Sequence, residues 1–142
     1  EMAKISQLVD DYQLTERVLF LGKQENLEEL YRISDLLLLL SEKESFGLVA
    51  LEAMACGVPC IGTNIGGIPE VIGHEETGYI CDVGDIDSIS AKALKILQDE
   101  HLHHQFSEAG IKKAHTVFSS EKIINQYEDI YYQLVEMDEI DA

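Results

Sequence analysis

Two glutamates eight residues apart, Glu44 and Glu52, flank a glycine at the predicted start of a helix. Gly47 lets a ligand approach the backbone closely and leaves the first N–H groups of the helix free. Together with the helix dipole, these groups form a binding site for a diphosphate. Each carboxylate can accept two hydrogen bonds from a vicinal diol. The pattern therefore predicts a site for a diphosphate with a hydroxyl-bearing group at either end.

The spacing of the two carboxylates fits such a ligand. Five helical residues separate Gly47 from Glu52, which is about 7.5 Å along the axis. A diphosphate separates a ribose from a sugar ring by a similar distance. Glu52 also lies between Leu51 and Ala53 in a mostly apolar helix, where a buried carboxylate without a partner would be costly. The alternative is that Glu44 is a solvated loop acid and Glu52 a surface charge, because glutamates are common in this chain.

The elements that must position these residues follow from the apolar spacing. Helical periodicity predicts a first helix ending near Leu14, a short helix over 26–33, a helix over 46–56 and one helical turn over 68–72. Buried strands are predicted at 17–21, 36–40, 59–62 and 79–81. The five leucines of 36–40 are typical of a strand covered on both faces.

Three further helices are predicted after the last strand. The first is capped by Asp85, the second runs over about 101–117, and the third begins at Ser119 or Ser120. We expect the first and third to bury their apolar positions, which are Ile86, Ile89, Ala93, Leu94 and Leu97, and Ile123, Ile124, Tyr127, Ile130, Tyr131, Leu134 and Val135.

This alternation predicts an α/β fold, a Rossmann-like parallel sheet with helices on both faces. Ligands bind beyond the carboxyl ends of the strands in such sheets, and Glu44 follows the strand at 36–40. No internal repeat or linker divides the sequence, so residues 1–142 are expected to form one domain. A helical pattern is already running at Met2, and we expect a fragment that lacks the first strand of its domain.

Residues 44–63, the run Gly66-Gly-Ile-Pro-Glu70 and the pair Gly78-Tyr79 together resemble glycosyltransferase family 4. The resemblance covers nearly the whole chain and its combination of motifs is specific. It implies the two-domain GT-B fold, in which a C-terminal domain binds the nucleotide sugar and an N-terminal domain binds the acceptor. It also implies transfer of a hexose with retention of configuration, with no cofactor and no bound metal. This chain would be the C-terminal domain, inactive by itself.

The same resemblance assigns roles to the residues around the helix start. Glu44 would be the catalytic residue that holds hydroxyls of the transferred sugar, and Glu52 would hold the ribose hydroxyls. The sugar and the diphosphate would face the backbone of Ser45, Phe46, Gly47 and Leu48.

Two further donor-binding residues are predicted after the first strand. Gly22 and Lys23 lie at the same sheet edge and are candidates to contact a uracil base through their backbone. The family also places an arginine and a lysine on the diphosphate, and neither is found in this chain. Lys23 and Lys43 do not match those positions in the pattern.

Composition excludes several classes of function. The net charge is −17, from 27 acidic and 10 basic residues, which excludes binding to nucleic acid through its phosphates. The longest apolar run, at 36–40, is too short to span a bilayer. The three cysteines, Cys56, Cys60 and Cys81, show no metal-binding spacing and are typical of buried residues in the cytoplasm.

Several features keep two interpretations open. The run 66–70 is either a turn, with Glu70 bonded to a local backbone donor, or part of the sugar pocket. His101, His103 and His104 are more typical of a solvated helix face than of a metal site. The final helix either packs on the core or returns toward an absent domain. Two rival functions are a non-hydrolysing sugar epimerase with the same fold and a flavodoxin-like binding module.

Overall fold

The structure, a computed structural model, describes the backbone of residues 2–140 and the side chains of residues 2–135. Within these residues the helices are α1 (Met2–Asp11), α2 (Leu27–Arg32), α3 (Leu48–Ala55), α4 (Ile68–Val71), α5 (Ile86–Gln98), α6 (Glu100–Val117) and α7 (Ser120–Ile140). The strands are β1 (Leu37–Leu39), β2 (Cys60–Thr63) and β3 (Gly78–Cys81).

The three strands form one parallel sheet in the order β1-β2-β3. Leu38 pairs with Ile61, and Ile61 pairs with Tyr79. Parallel strands need a crossover between them, and α3 and α4 occupy the two connections. The predicted α/β fold with a parallel sheet is confirmed, and most predicted elements shift by only one or two residues at their ends.

Side chains alternate between the two faces of this sheet and build two separate cores. On one face, Cys60 packs with residues of α3 and α4, including the fully buried Ala53 and Ile68. On the other face, Ile61 and Tyr79 pack against α5 and the start of α6, and Phe106 is almost completely buried. Helices therefore cover both faces, and α3 is fixed beside the carboxyl end of β1.

The predicted strand at 17–21 is wrong. Residues 18–21 form neither helix nor strand, and the side chain of Leu19 is 81% exposed. Within the described residues, β1 pairs only with β2, so no ladder extends to this segment. An apolar run becomes a strand only where a neighbouring strand accepts its hydrogen bonds. The strand at 36–40 is also not covered on both faces, since Leu38 is 47% exposed.

The buried faces predicted for the late helices are only partly confirmed. In α5, Ile89 is buried, but Ile86, Leu94 and Leu97 are exposed, while Ile96 takes the deepest position. In α7, Ile123 is half-buried, and the other predicted core positions are exposed: Ile124, Tyr127, Ile130, Tyr131, Leu134 and Val135. Periodicity identifies the apolar face of a helix but not the element that covers it. No described helix has the length and apolar character to cross a membrane.

Candidate functional site

The start of α3 is set by Gly47, which has a left-handed backbone with φ of 95°. A side chain at this position would be strained, and its Cβ would lie 3.4 Å from Ile68 and 3.5 Å from Leu39. Among the side chains of residues 2–135, none caps the first turn of α3. The first N–H groups of a helix have no internal partners, so this end of α3 can donate to an anionic ligand. The predicted diphosphate-binding geometry is therefore available at Gly47.

Glu44 lies in the loop between β1 and α3 and is half-buried. Its Oε1 atom accepts hydrogen bonds from the N–H groups of Ser45 at 2.9 Å and Phe46 at 3.4 Å. These two bonds fold the carboxylate back over its own loop, just before the helix start. Only Oε1 is used among the described contacts, which leaves Oε2 to a ligand.

The loop that carries Glu44 rests on the backbone of a second turn, at Gly66 and Gly67. The Gly67 N–H donates to the Ser45 carbonyl at 3.0 Å. A Cβ on Gly66 would lie 1.8 Å from the Glu44 carbonyl oxygen, and one on Gly67 would lie 2.9 Å from Phe46 Cα. Two glycines are therefore required for the two backbones to approach this closely.

This contact clarifies the role of the run 66–70. Gly66 has φ of 53°, so it is a turn residue with positive φ, as one interpretation held. The turn also supports the Glu44 loop, a contact between segments that sequence reasoning missed. The Glu70 carboxylate accepts no hydrogen bond within the described residues, so the expected local backbone contact is absent there.

Glu52 lies in the second turn of α3, and its side chain is exposed. The expectation that this carboxylate is buried, at a cost in free energy, is therefore wrong. The hydroxyl of Tyr31, on α2, donates to Glu52 Oε2 at 3.3 Å. Burial, followed by the negative charge of Glu52, raises the pKa of Tyr31 from 10.0 to about 12, so the phenol stays a donor even above its ordinary pKa. Sequence reasoning missed Tyr31, whose only signal was a hydroxyl in the short helix before β1.

Glu52 lines a hollow of about 520 Å³ between α2 and α3. Glu25 lines this hollow and also lines a neighbouring one that contains Lys23. Lys23 and Glu52 therefore lie on adjoining surfaces. Gly22 has φ of 63° and open space around it. Neither hollow includes Glu44, which lies with Ser45 and Phe46 just before the start of α3.

Leu48 and Phe46 line a hollow of about 610 Å³ between the start of α3 and α7. Leu48 is exposed and Phe46 is half-buried, with its ring edge-to-face against Phe118 at 5.7 Å between centroids. Of the predicted donor-binding residues 44–48, Phe46 and Leu48 thus turn their apolar side chains toward α7.

Two of the three histidines of α6 contact other groups of the chain rather than one another. His103 Nε2 lies 2.8 Å from the Asp35 carbonyl oxygen, and His104 lies 3.3 Å from Glu108. His101 is exposed. In the part of the chain that the structure describes, no three metal-binding side chains come together.

Known proteins share this sequence and fold. Residues 1–113 match the family described as glycosyl transferases group 1. The chain is 56% identical over 138 residues to the N-acetyl-alpha-D-glucosaminyl L-malate synthase of Bacillus anthracis. The aligned residues cover 97% of this chain and 36% of that relative. It is also 32% identical over 124 residues to the lipopolysaccharide core biosynthesis mannosyltransferase LpsB of Rhizobium meliloti. That alignment covers 86% of this chain and 35% of LpsB.

A solved structure gives the same result for the fold. The sucrose-phosphate synthase of Thermosynechococcus elongatus matches with a TM-score of 0.87 and 32% identity, over 95% of this chain and 34% of that one. The chain thus spans about a third of the length of these relatives. The fold is the Rossmann-like domain of GT-B glycosyltransferases. The family match favours glycosyl transfer over the epimerase, which shares this fold, and over the binding module. The chain belongs to the glycosyl transferases group 1 family.

Proposed function

We propose that this chain is the C-terminal, donor-binding part of a retaining glycosyltransferase. The observation that carries the proposal is the uncapped start of α3 at Gly47, with Glu44 just before it and Glu52 in its second turn. This order of groups suits a diphosphate at the helix start, a sugar on the Glu44 side and a ribose on the Glu52 side. The acceptor would bind to an N-terminal domain of the longer protein.

The proposed donor is UDP-N-acetylglucosamine and the proposed acceptor is L-malate. Residues 42–49 and 51–72 resemble the N-acetylglucosaminyl L-malate synthase of bacillithiol biosynthesis, and the identity of 56% to the Bacillus anthracis relative supports this step. The cytoplasm is the proposed location, because the three cysteines are free and two of them are buried. The 32% identity to LpsB supports an alternative, another family 4 hexosyltransferase with a different acceptor.

Each residue has a distinct role in the proposed reaction. Glu44 orients the transferred sugar through its hydroxyls, and the backbone of Ser45, Phe46, Gly47 and Leu48 faces the sugar and the diphosphate. Glu52 accepts hydrogen bonds from the ribose. Gly22 and Lys23 contact the uracil.

Departure of UDP is the step that this chain assists. Negative charge grows on the diphosphate as the bond to the sugar breaks, and the dipole and free N–H groups of α3 stabilise that charge. The acceptor hydroxyl then attacks from the same face of the sugar and forms the new glycosidic bond, and its proton passes to a diphosphate oxygen of the departing UDP. The proposal requires no metal and no cofactor, and no covalent nucleophile from this chain.

A comparison of this chain with the full-length protein tests the proposal. Each is mixed with UDP-N-acetylglucosamine and L-malate, and the release of UDP is followed. The full-length protein should transfer the sugar, whereas this chain should bind UDP weakly and transfer nothing, because one helix N-terminus contributes only about 0.3–2 kcal/mol to anion binding.

Sugar transfer by this chain alone would contradict the proposal that it holds only half of the active site. A full-length protein that ignores L-malate but glycosylates another acceptor would overturn the malate step and leave the donor-binding role in place. A full-length protein that neither binds nor hydrolyses any nucleotide sugar would overturn the proposal as a whole.

A further inference from the structure

The two ends of α4 have different partners. At its start, the turn of Gly66 and Gly67 lies in backbone contact with the loop of Glu44. At its end, the ammonium group of Lys113, on α6, donates to the Glu70 carbonyl oxygen at 2.8 Å. One short helix therefore connects a cation on α6 to the loop that carries the proposed catalytic carboxylate.

The Lys113 ammonium group satisfies a backbone carbonyl at the end of α4. The last carbonyl groups of a helix have no internal partners, and a lysine can satisfy them. Among the described residues, Lys113 is the only donor to the Glu70 carbonyl. Lys113 is half-buried, and this burial lowers the pKa of its side chain. A charged donor makes a stronger hydrogen bond to a carbonyl than a neutral one, so the ammonium group fixes the end of α4.

The element that carries Lys113 is itself fixed to α3. Gly110, one turn before Lys113, lies against Met54 of α3, where a Cβ would be 3.5 Å from the Met54 side chain. Gly110 and Met54 are both buried. Lys113 thus links α4 to the pair formed by α3 and α6, and α3 holds the proposed diphosphate site at its start.

From this arrangement we infer that Lys113 is a positioning residue for Glu44. It sets the position of α4, and the Gly66-Gly67 turn at the start of α4 sets the position of the 44–46 backbone. The inference rests on the proposed function for its effect on turnover, but its structural part concerns only contacts within this chain. Lys113 does not contact the proposed ligand site and acts only through α4.

Loss of this hydrogen bond should leave the fold intact. Ile68, Val71 and Ile72 are completely buried on the sheet, so α4 keeps its apolar attachment without Lys113. A variant that lacks Lys113 loses the hydrogen bond to the Glu70 carbonyl at the end of α4. Without that bond, α4 can shift along the sheet. A shift of about 1 Å at a reacting group can cost up to about 100-fold in rate.

The test compares Lys113→Met with Lys113→Arg and Lys112→Met in the full-length protein. Lys112 is the adjacent, exposed lysine of α6, and its ammonium group makes no hydrogen bond in the described part of the chain. Lys113→Met should lower kcat at least about tenfold, with the Kd for UDP changed by less than about twofold. Lys113→Arg should recover most of kcat, and Lys112→Met should match the wild type.

Hydrogen exchange supplies a readout that does not depend on activity. The N–H groups of Ser45 and Phe46 are bonded to Glu44, and that of Gly67 is bonded to Ser45. These amides should exchange faster in Lys113→Met than in Lys112→Met. Unchanged exchange at Ser45, Phe46 and Gly67, or a kcat equal to that of the wild type, would overturn the inference. If the wild-type protein shows no transfer, the proposed function fails, and the exchange rates alone decide whether Lys113 positions the loop.

Discussion

Gly66 and Glu44 are in backbone contact, such that a Cβ on Gly66 would lie 1.8 Å from the Glu44 carbonyl oxygen. The two residues are far apart in sequence and belong to the connections that follow β2 and β1. Parallel neighbours place their carboxyl ends at the same sheet edge, which brings the two turns together. The Gly-Gly pair of the motif is thereby explained as support for the loop that carries the carboxylate.

Gly66→Ala should destabilise the domain more than Gly84→Ala. Both glycines have positive φ, 53° and 79°, so each alanine incurs left-handed strain of about 1–2 kcal/mol. Only Gly66 has a backbone atom in the way, whereas Gly84 has open space around it. We therefore expect Gly66→Ala to lower the free energy of unfolding by at least about 3 kcal/mol in urea titrations. An equal decrease in the free energy of unfolding in the two variants would show that the backbone around Gly66 can move to accommodate a Cβ.

Glu52→Ala should weaken the binding of UDP to the full-length protein. The carboxylate is exposed beside the Tyr31 hydroxyl, and each charge-assisted hydrogen bond lost to the ribose costs about 1.5–3 kcal/mol. Calorimetric titration with UDP measures the change. Glu28→Ala is the matched control, because Glu28 lines the same hollow but is paired with Arg32 at 2.6 Å. An affinity for UDP that Glu52→Ala leaves unchanged would remove Glu52 from the site.

Glu44→Gln should reduce turnover in the full-length protein far more than it reduces UDP binding. Glu44 precedes the start of α3, whereas Glu52 lies in its second turn, and Glu44 Oε1 already accepts from the N–H groups of Ser45 and Phe46. The amide keeps an acceptor for these bonds but loses the charge that orients the sugar hydroxyls. Steady-state kinetics and UDP calorimetry separate the two effects. If Glu44→Gln weakens free UDP binding at least about tenfold, about 1.4 kcal/mol, the roles of the two glutamates are reversed.

The pKa of Tyr31 predicts a loss of stability at high pH. Burial and Glu52 raise this pKa from 10.0 to about 12, so the fold favours the neutral phenol. The stabilising contribution is fully present below pH 10.0 and is lost as the pH rises through about 12. Urea titrations at several pH values should show a steeper decline in the wild type than in Tyr31→Phe. Tyr12→Phe, at an exposed position, should follow the wild type, and identical slopes in all three proteins would contradict the pKa assigned to Tyr31.

The sequence alone predicted the elements that depend on local signals. The apolar run before Glu44, the glycine at 47 and the Gly57-Val-Pro59 break were enough to locate β1, α3 and β2. Asp85 was predicted as the cap of α5, and its carboxylate accepts from the Ser88 N–H at 3.1 Å. Such features are fixed by side chains a few residues apart, so they can be read without knowledge of the fold.

The tertiary structure decided what depends on distant partners. Across residues 2–140, no strand lies beside the apolar segment at 17–21, and the apolar positions of α7 from Ile124 to Val135 are exposed although their periodicity predicts burial. Glu52 is exposed and bonded to Tyr31 rather than buried and alone. The motif identified Glu44, Gly66 and Gly67 as residues of interest, but only the parallel sheet brings them into contact. Burial and close approach are properties of two or more segments together, and a one-dimensional pattern specifies the face a segment offers but not the partner that meets it.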